Sequence, residues 1–336
     1  MGERARGRSK IRLVTHPVAL SYQSASLSMN ETVLQIKSFA KINWTLQILG
    51  RRSDSYHEID SVLQTVSLHD ELVFKCREDS QVIIHTDAPD IPLDDKNLIV
   101  KAANGLRSFA RLSLGVDVYL LKRIPPQGGL GGASSNAAVT LLALNQLWQS
   151  GLDVDELKSL GTVLGSDVPF FFTGGTARAT GTGSTILPLE DTVKRHLLIV
   201  TPNSRVSTAD AYSALKSPSL TTTRSDSILS SSFAGPNSGD LDQWALTNDF
   251  EGVIFEIEPE IKRAQMALFD AGAQGGLLAG SGSSVFGIFD SKEARERALA
   301  DLKLEEGWQV FSCETISRAE YLESLRSSGV PAITFS

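Results

Sequence analysis

The sequence predicts an α+β fold in about two domains, and three observations support this prediction. Segments of alternating apolar and polar residues interleave with segments of helical periodicity, but they form no regular βαβ repeat, which disfavours a doubly wound parallel sheet. The chain has 336 residues, enough for about two domains of roughly 150 residues each. Its 41% hydrophobic and 21% charged residues resemble the globular average, which excludes disorder, collagen-like repeats or a coiled coil as the dominant state.

The spacing of apolar residues gives the order of elements in the first half of the chain. Two runs of alternation within VLQIKSFAKINWTLQIL (33–49) predict two strands, and a polar loop follows at 50–59. The remaining patterns predict strands over 61–74 and 81–86, a helix over 94–111 with an acidic first turn, a strand over 116–125, a helix over 133–151 closed by Gly151, and a helix over 153–165 that starts at an aspartate cap.

The second half of the chain begins with a strand at 196–200, where we place the domain boundary. A Ser/Thr-rich segment at 216–240 has little periodicity and predicts a flexible surface loop. Helical patterns follow over 245–256 and 260–272, and they lead to a Gly/Ser-rich turn within 275–289. We therefore predict an N-terminal domain over 31–195 and a C-terminal domain over 196–336.

Charge and cysteine content restrict the class of protein and its partners. The net charge of −7 argues against a nucleic-acid binder with a broad basic face, and no run approaches the ~18 apolar residues of a membrane helix. We expect a small-molecule substrate, no nucleic acid and no membrane as partner, and a monomer or weak homodimer. Cys76 and Cys313 form neither a disulfide framework nor a zinc cluster, which is typical of idle thiols in a reducing cytosol.

The first 30 residues have a composition of their own. Residues 3–12 contain five basic residues and one acid, and this pattern is shared by transit peptides and by basic disordered tails. We predict a disordered extension of a bacterial-type cytoplasmic protein, with Met29 as the functional start. Plastid import directed by this basic segment is the less favoured alternative.

The Gly-rich loop in PPQGGLGGASSNAA (125–138) is the most specific candidate for binding chemistry. It joins a predicted strand to a long predicted helix, and free N–H groups at a helix N-terminus bind phosphate. A Walker A loop would need a Lys that is absent here. A dinucleotide fingerprint would need an acid about 20 residues on, but Asp153 begins another helix. A tight turn without a ligand is the remaining alternative.

Four further features are ambiguous when each is taken alone. Lys41 interrupts an apolar strand, where it either meets an anion or faces solvent at a sheet edge. Asp167, beside an apolar stretch, is either a functional acid or a turn residue. The pair Tyr56–His57 could stack on a planar ligand or be structural, and GSGSS (280–284) could be a simple helix-to-strand connection.

Together these segments resemble the GHMP kinase superfamily of galacto-, homoserine, mevalonate and phosphomevalonate kinases. Its three motifs correspond here to SFAKINWTLQILG, PPQGGLGGASSNAA and LLAGSGSSVFG, in that order. Within the superfamily, GRRSDSYH (50–57) and GSDVPFF (165–171) are most similar to the 4-diphosphocytidyl-2-C-methyl-D-erythritol kinases, and the likeness runs from about residue 33 to 290. The departures are mild: Ser55 replaces a common Gly, and Ser283 and Ser284 replace a frequent Ala or Cys.

The resemblance implies a fold and a reaction. The fold would combine an N-terminal domain like ribosomal protein S5 domain 2 with a ferredoxin-like C-terminal domain. The N-terminal domain (31–195) would be the ATP-binding and catalytic domain, and the C-terminal domain (196–336) would be the substrate domain. The reaction would be ATP-dependent phosphorylation of the 2-hydroxyl of 4-diphosphocytidyl-2-C-methyl-D-erythritol, in the non-mevalonate route to isoprenoid precursors. Asp167 would accept the hydroxyl proton, and Lys41 would pair with Asp167 and offset the charge on the transferred phosphoryl group.

The resemblance also assigns binding residues and cofactors. ATP would be bound with Mg²⁺, and Ser134 or Ser135 would lie near the ion. Asn97 and Lys122 would lie near the adenine, while Tyr56 and Tyr212 would sandwich the cytosine, with His57 at its polar edge. The full ATP set is Asn97, Lys122, Pro126, Gly128, Gly129, Leu130, Gly131, Gly132, Ala133, Ser134, Ser135 and Asn136, and the full substrate set is Asn43, Tyr56, His57, Thr208 and Tyr212.

Two rival functions follow from the same motifs. Another GHMP kinase, of the homoserine or mevalonate type, would have no cytosine to stack between Tyr56 and Tyr212. A catalytically silent nucleotide-binding protein would need neither Lys41 nor Asp167. A dehydrogenase is a more distant third.

Overall fold

The computed structural model describes residues 33–215 and 246–330, and the predictions for residues 1–30 and 216–240 lie outside this part. The strands are β1 (Val33–Arg51), β2 (His57–Arg77), β3 (Val82–Thr86), β4 (Gly115–Leu121), β5 (Thr176–Gly181), β6 (Thr185–Pro188), β7 (His196–Thr201), β8 (Thr247–Asn248), β9 (Gly275–Leu278), β10 (Val285–Phe289) and β11 (Gln309–Glu314). The helices are α1 (Leu98–Phe109), α2 (Gly132–Leu147), α3 (Val154–Leu164), α4 (Phe170–Thr173), α5 (Thr208–Ala214), α6 (Glu251–Ile257), α7 (Pro259–Asp270), α8 (Lys292–Asp301) and α9 (Arg318–Ser327).

These strands form two sheets, as expected for an α+β fold. The larger sheet has the order β3–β4–β2–β1–β8, and β5 joins it by pairing with β2 and β6. The smaller sheet has the order β11–β7–β10–β9 and is antiparallel throughout. None of the helices within 33–215 and 246–330 has the length and apolar content that crossing a bilayer would require.

The strand predictions needed two corrections. The two runs within 33–49 form one strand, because β1 pairs with β2 along its whole length, with bulges at three places. The polar loop predicted over 50–59 is confined to 52–56, because Arg51 and His57 still pair across the hairpin. His57 therefore lies at the start of a strand rather than in a loop.

The helices are present where the periodicity predicts them, with different ends. Asn97 caps α1, so Asp94 and Asp95 precede the helix and the predicted acidic first turn is wrong. The long helix α2 ends at Leu147, before Gly151. The aspartate cap of α3 is confirmed: Asp153 accepts from the first-turn N–H groups in a capping box.

The helix predicted over 245–256 begins only at Glu251. Thr247 and Asn248 instead form the short strand β8, which pairs in parallel with Thr45 and Leu46 of β1. This pairing brings a segment from the second half of the chain into the larger sheet, next to the strand that carries Lys41.

The core has three parts, and the two sheets meet in one of them. Ala40, Ile42 and Trp44 on one face of β1 pack against Leu197 and Phe286 of the smaller sheet. A second cluster lies between the larger sheet and α1, α2, α4 and α9, and a third between the smaller sheet and α5 to α8. The helix α9 thus packs with the first half of the chain, and a domain boundary at 195/196 stays a prediction.

Candidate active site

A cavity of about 510 Å³ forms where the loop before α2 and the loop after β9 meet β1. Most of the predicted site residues line it: Lys41, Asn43, Lys122, Pro126, Gly128, Gly129, Leu130, Gly131, Gly132, Ala133, Ser134, Asp167, Thr208 and Tyr212. Tyr56 and His57 line an adjoining cavity of about 620 Å³, which shares Thr208 and Tyr212 with the first. One continuous site therefore joins the two predicted binding regions.

The phosphate loop, residues 125–131, turns sharply into α2. Gln127, Gly129 and Gly131 have φ of 58°, 73° and 71°, the left-handed region that glycine adopts readily. The helix α2 begins at Gly132 with no side-chain cap, so the N–H groups of its first turn remain free for a ligand. This geometry suits a phosphate group.

The second glycine-rich loop, residues 279–284, holds the phosphate loop in place. The Ser283 and Ser284 amides donate to the carbonyls of Gln127 and Gly128, at 3.3 and 3.2 Å. A Cβ on Gly129 would lie 1.8 Å from the carbonyl oxygen of Ala279, closer than any real contact. The two loops therefore need their glycines in order to approach each other.

Only one of the two serines at the start of α2 faces the cavity. Ser135 is fully buried, and its hydroxyl accepts a hydrogen bond from Ser38 Oγ at 2.7 Å. Ser134 lines the cavity. Asn136, also predicted to bind ATP, is buried behind the loop and donates to Asp70 Oδ2 at 3.0 Å.

Asp70 organises the segment that leads into the phosphate loop, and no sequence pattern predicts this role. Its Oδ1 accepts from the Arg123 and Ile124 amides at 2.7 and 2.8 Å, and its Oδ2 lies 3.0 Å from Lys122 Nζ. Burial lowers the pKa of Lys122, and the Asp70 carboxylate opposes this effect. Asp70 is fully buried within an alternating strand, where no motif marks it.

Lys41 and Asp167 come together in the cavity, as their pairing in the motifs implies. Lys41 Nζ lies 3.6 Å from Asp167 Oδ2 and donates to Asn43 Oδ1 at 2.9 Å. Lys41 is only 4% exposed, while the Asp167 side chain is just over a third exposed. A carboxylate open to a ligand can accept a proton, and a buried ammonium beside it can stabilise developing negative charge.

The adjoining cavity is an aromatic cavity, lined by the side chains of Tyr56, His57 and Tyr212 rather than by backbone N–H groups. The His57 ring stacks on Tyr212 at 4.6 Å and 20°, and Tyr56 is 65% exposed. Burial lowers the pKa of His57, with Arg51 adding to the effect. Burial also raises the pKa of Tyr212 to about 12, with Asp167 adding to it. Both rings are thus neutral near pH 7.5.

Hydrogen bonds within the hairpin turn 52–56 fix the backbone that places Tyr56 and His57 at the aromatic cavity. Arg52 Nη1 donates to Glu58 Oε2 at 2.6 Å, and Arg52 Nε donates to Asp54. Asp54 in turn accepts from the Tyr56 amide at 3.1 Å. Ser55 has a φ of 72°, which explains why glycine suits this position.

The segment around β8 supports both cavities and was not found from the sequence. Asn248 Nδ2 donates to the carbonyls of Leu278 and Gly280, at 2.8 and 2.7 Å. Two residues on, Phe250 packs edge-on against Tyr212 at 4.9 Å. An Asn within a predicted helix is a weak signal of a different conformation.

Asn97 does not reach the cavity. Its Oδ1 accepts from the Ile99 amide at 2.9 Å, and its Nδ2 donates to the Pro92 carbonyl at 2.8 Å. The side chain is used to cap α1 and to fix the preceding loop, of which Pro92 lines the cavity. Asn97 therefore contributes to the cavity through the loop that it fixes.

Comparison with known proteins is consistent with this geometry. Two family models match, GHMP kinases N terminal domain over residues 97–175 and GHMP kinases C terminal over 235–306. The 4-diphosphocytidyl-2-C-methyl-D-erythritol kinase of Thermodesulfovibrio yellowstonii is 40% identical, covering 84% of this chain and 98% of its own. That of Pseudomonas savastanoi pv. phaseolicola is 39% identical, covering 82% and 91%.

Solved structures show the same relationship. A crystal structure of 4-(cytidine 5'-diphospho)-2C-methyl-D-erythritol kinase superposes with a TM-score of 0.65 at 31% identity, covering 84% of this chain and 99% of that chain. The homoserine kinase of Cytophaga hutchinsonii superposes with a TM-score of 0.64 at 19% identity, covering 86% and 96%. The latter likeness shows the fold alone.

Proposed function

This chain belongs to the 4-diphosphocytidyl-2-C-methyl-D-erythritol kinase family of GHMP kinases, and we propose that Lys41 and Asp167 carry out its phosphoryl transfer. The enzyme transfers the γ-phosphoryl group of ATP to the 2-hydroxyl of 4-diphosphocytidyl-2-C-methyl-D-erythritol, a step of isoprenoid precursor synthesis. The observation that carries the residue assignment is the 3.6 Å pair of Lys41 and Asp167, located between a phosphate loop and an aromatic cavity.

Asp167 accepts the proton of the 2-hydroxyl while the hydroxyl oxygen bonds to the γ-phosphorus. The bond between that phosphorus and the bridging oxygen of ADP breaks, and ADP leaves with the electron pair. Lys41 offsets the charge on the transferred group, and the N–H groups of 132–134 hold the remaining phosphate oxygens. Such catalysis depends on positioning and electrostatics.

Mg²⁺ fits the donor set of the cavity. No cluster of three or more His, Cys, Asp or Glu side chains in 33–215 and 246–330 could hold a metal alone, but Mg²⁺ in kinases is bound mainly by substrate phosphates and one or two protein groups. Of the two serines predicted to lie near the ion, Ser134 lines the cavity and could be such a group, whereas Ser135 is buried behind it. The ion would neutralise phosphate charge when bound.

The cytosine would lie between Tyr56 and Tyr212. Because His57 stacks on Tyr212, a base on that face of Tyr212 must displace the imidazole to the edge of the ring system, where it can hydrogen-bond the base. Thr208, which lines both cavities, and Asn43, which lines the first, would contact the polar groups of the substrate. Location in the cytoplasm and a monomeric or weakly dimeric state stay predictions.

The function is tested by offering the purified protein ATP and Mg²⁺ with one acceptor at a time. We expect ADP release and a phosphorylated product with the cytidyl substrate, and neither with mevalonate or homoserine, which cannot engage the aromatic cavity. Phosphorylation of mevalonate or homoserine without turnover of the cytidyl substrate would contradict the proposal. Binding of ATP without turnover of any acceptor would favour the silent nucleotide-binding alternative.

A further inference from the structure

We propose that Ser61 is a positioning residue for Lys41 and that it acts through the side-chain amide of Asn43. The inference rests on the proposed role of Lys41 and Asp167 in phosphoryl transfer. Ser61 lies on β2, fully buried, and lines the same cavity. It touches neither Lys41 nor Asp167 through any hydrogen bond that the structure shows, so its effect must pass through Asn43.

Ser61 and Asn43 link the Thr45 carbonyl to Lys41 through three hydrogen bonds, and only one assignment of donors and acceptors satisfies all three. Ser61 Oγ donates to the Thr45 carbonyl at 2.6 Å. A hydroxyl has one proton, so Ser61 can only accept from Asn43, whose Nδ2 lies 2.7 Å away. Asn43 must then present Oδ1 to Lys41, whose ammonium has donors only and lies 2.9 Å away.

A β-bulge explains why the Thr45 carbonyl needs Ser61. The register of β1 against β2 shifts between Asn43 and Thr45, so the backbone of Trp44 has no pairing partner in β2. Val62 compensates by donating its amide to Thr45 Oγ1 at 3.0 Å, and Ser61 satisfies the carbonyl. Bulges near active sites commonly redirect a side chain, and this one leaves Asn43 and Lys41 on one face of the strand.

Removing the Ser61 hydroxyl would release the amide of Asn43. The buried Nδ2 would lose its partner, and the amide could turn to direct Nδ2 at Lys41, where donor would face donor. Lys41 would keep its charge and its burial but lose the acceptor that holds it beside Asp167. We therefore expect a loss in kcat, because phosphoryl transfer depends on exact placement of charge, with little change in the KM for ATP.

A double-mutant cycle tests this path, run with whichever alcohol the substrate screen shows to be phosphorylated. Ser61→Ala is expected to lower kcat about tenfold in the unchanged protein and less than twofold when Asn43→Ala is already present. A matched control is Thr176→Val, which removes a buried hydroxyl that donates to Gln64 in the same sheet at 2.8 Å but does not line the cavity; its kcat should stay within twofold.

An unchanged kcat in Ser61→Ala, or an equal loss in the presence and absence of Asn43→Ala, would overturn the inference. If Ser61→Ala does not fold, the isosteric pair Ser61→Thr and Ser61→Val replaces it, and only the threonine variant should retain kcat. Equal kcat values for that pair would also overturn it. Failure of the proposed function would instead appear in the substrate screen, as turnover of mevalonate or homoserine without turnover of the cytidyl substrate.

Discussion

The two ends of the active site are built in different ways. At the phosphate end, backbone N–H groups and glycines form the surface, and a second loop holds them through amide-to-carbonyl hydrogen bonds. At the aromatic end, the surface consists of a few side chains, of which Tyr56 is largely exposed and His57 stacks on Tyr212.

This difference predicts different responses to change. A cradle made of backbone is already formed before a ligand binds, and any side chain added to it displaces the loop. An aromatic pocket made of side chains can rearrange on binding, so each contact makes a graded contribution to affinity. Lys41 and Asp167 lie where the two ends meet, and there we expect the largest effects.

Asp167→Asn should have the largest effect of any single substitution. The amide cannot accept the hydroxyl proton, so we expect kcat to fall by about 10³-fold, within the range for loss of a general base. The dissociation constant of ATP, measured by calorimetry, should stay within threefold. Asp155→Asn, on an exposed helix position, is the control and should leave kcat unchanged; full activity of Asp167→Asn would refute the base assignment.

Gly129→Ala tests whether the phosphate end is a preformed backbone cradle. The new Cβ would collide with the Ala279 carbonyl at 1.8 Å and add strain at a φ of 73°, so kcat/KM for ATP should fall about 100-fold. The control is Gly105→Ala in α1, where a Cβ meets nothing within 4 Å. Equal values of kcat/KM for ATP in Gly129→Ala and Gly105→Ala would mean that the Ala279 carbonyl does not constrain the phosphate loop.

Tyr56→Ala tests the aromatic end. Loss of one stacking partner costs about 1–3 kcal/mol per base, so the KM for the cytidyl substrate should rise about tenfold while that for ATP changes less than twofold. Phe109→Ala removes an aromatic ring that is exposed elsewhere and should change neither constant. A parallel rise in both KM values would contradict a separate base pocket.

The pH dependence of the aromatic end should follow His57. Because burial lowers its pKa below the ordinary 6.5, the neutral ring predominates above pH 6.5, and the imidazolium forms only as the pH falls further. The stability that the neutral ring contributes is likewise present above 6.5 and lost below it. We expect the KM for the cytidyl substrate to rise about threefold between pH 7.5 and 5.5, and His57→Gln to abolish this dependence.

Ser55→Gly should have the smallest effect. Glycine relieves the left-handed conformation of residue 55 at a cost in unfolded-state entropy, so the free energy of unfolding should rise by about 0.5 kcal/mol. Chemical denaturation measures this change, and steady-state kinetics should show no difference. A loss of stability would mean that the Ser55 side chain has a role in the turn beyond its backbone geometry.

The sequence was informative where function depends on backbone geometry or on a rare residue type. The glycines at 128–132 and a lysine in an apolar strand can be recognised without a structure, because few other arrangements explain them. Asp70, Asn248 and Ser61 could not be found in this way. Each is a common residue whose partners lie far along the chain, and only the pairing of strands brings them together.

Fine assignments within a motif were also beyond the sequence. Ser134 and Ser135 are adjacent in the first turn of α2, and only the direction of each side chain decides that Ser134 lines the cavity while Ser135 contacts Ser38. Asn97 matches a family motif, but its Oδ1 caps α1 and its Nδ2 donates to the Pro92 carbonyl of the preceding loop. The motifs therefore predict where the site lies, whereas the packing of side chains determines which motif residues line the cavity.

A crystal structure with the cytidyl substrate and a non-hydrolysable ATP analogue tests the central claim most directly. We predict the cytosine between Tyr56 and Tyr212 with His57 turned to its edge, the phosphates on the N–H groups of 132–134, and the 2-hydroxyl between Asp167 and the γ-phosphorus. A cytosine outside the aromatic cavity, or a 2-hydroxyl out of reach of Asp167, would contradict the account.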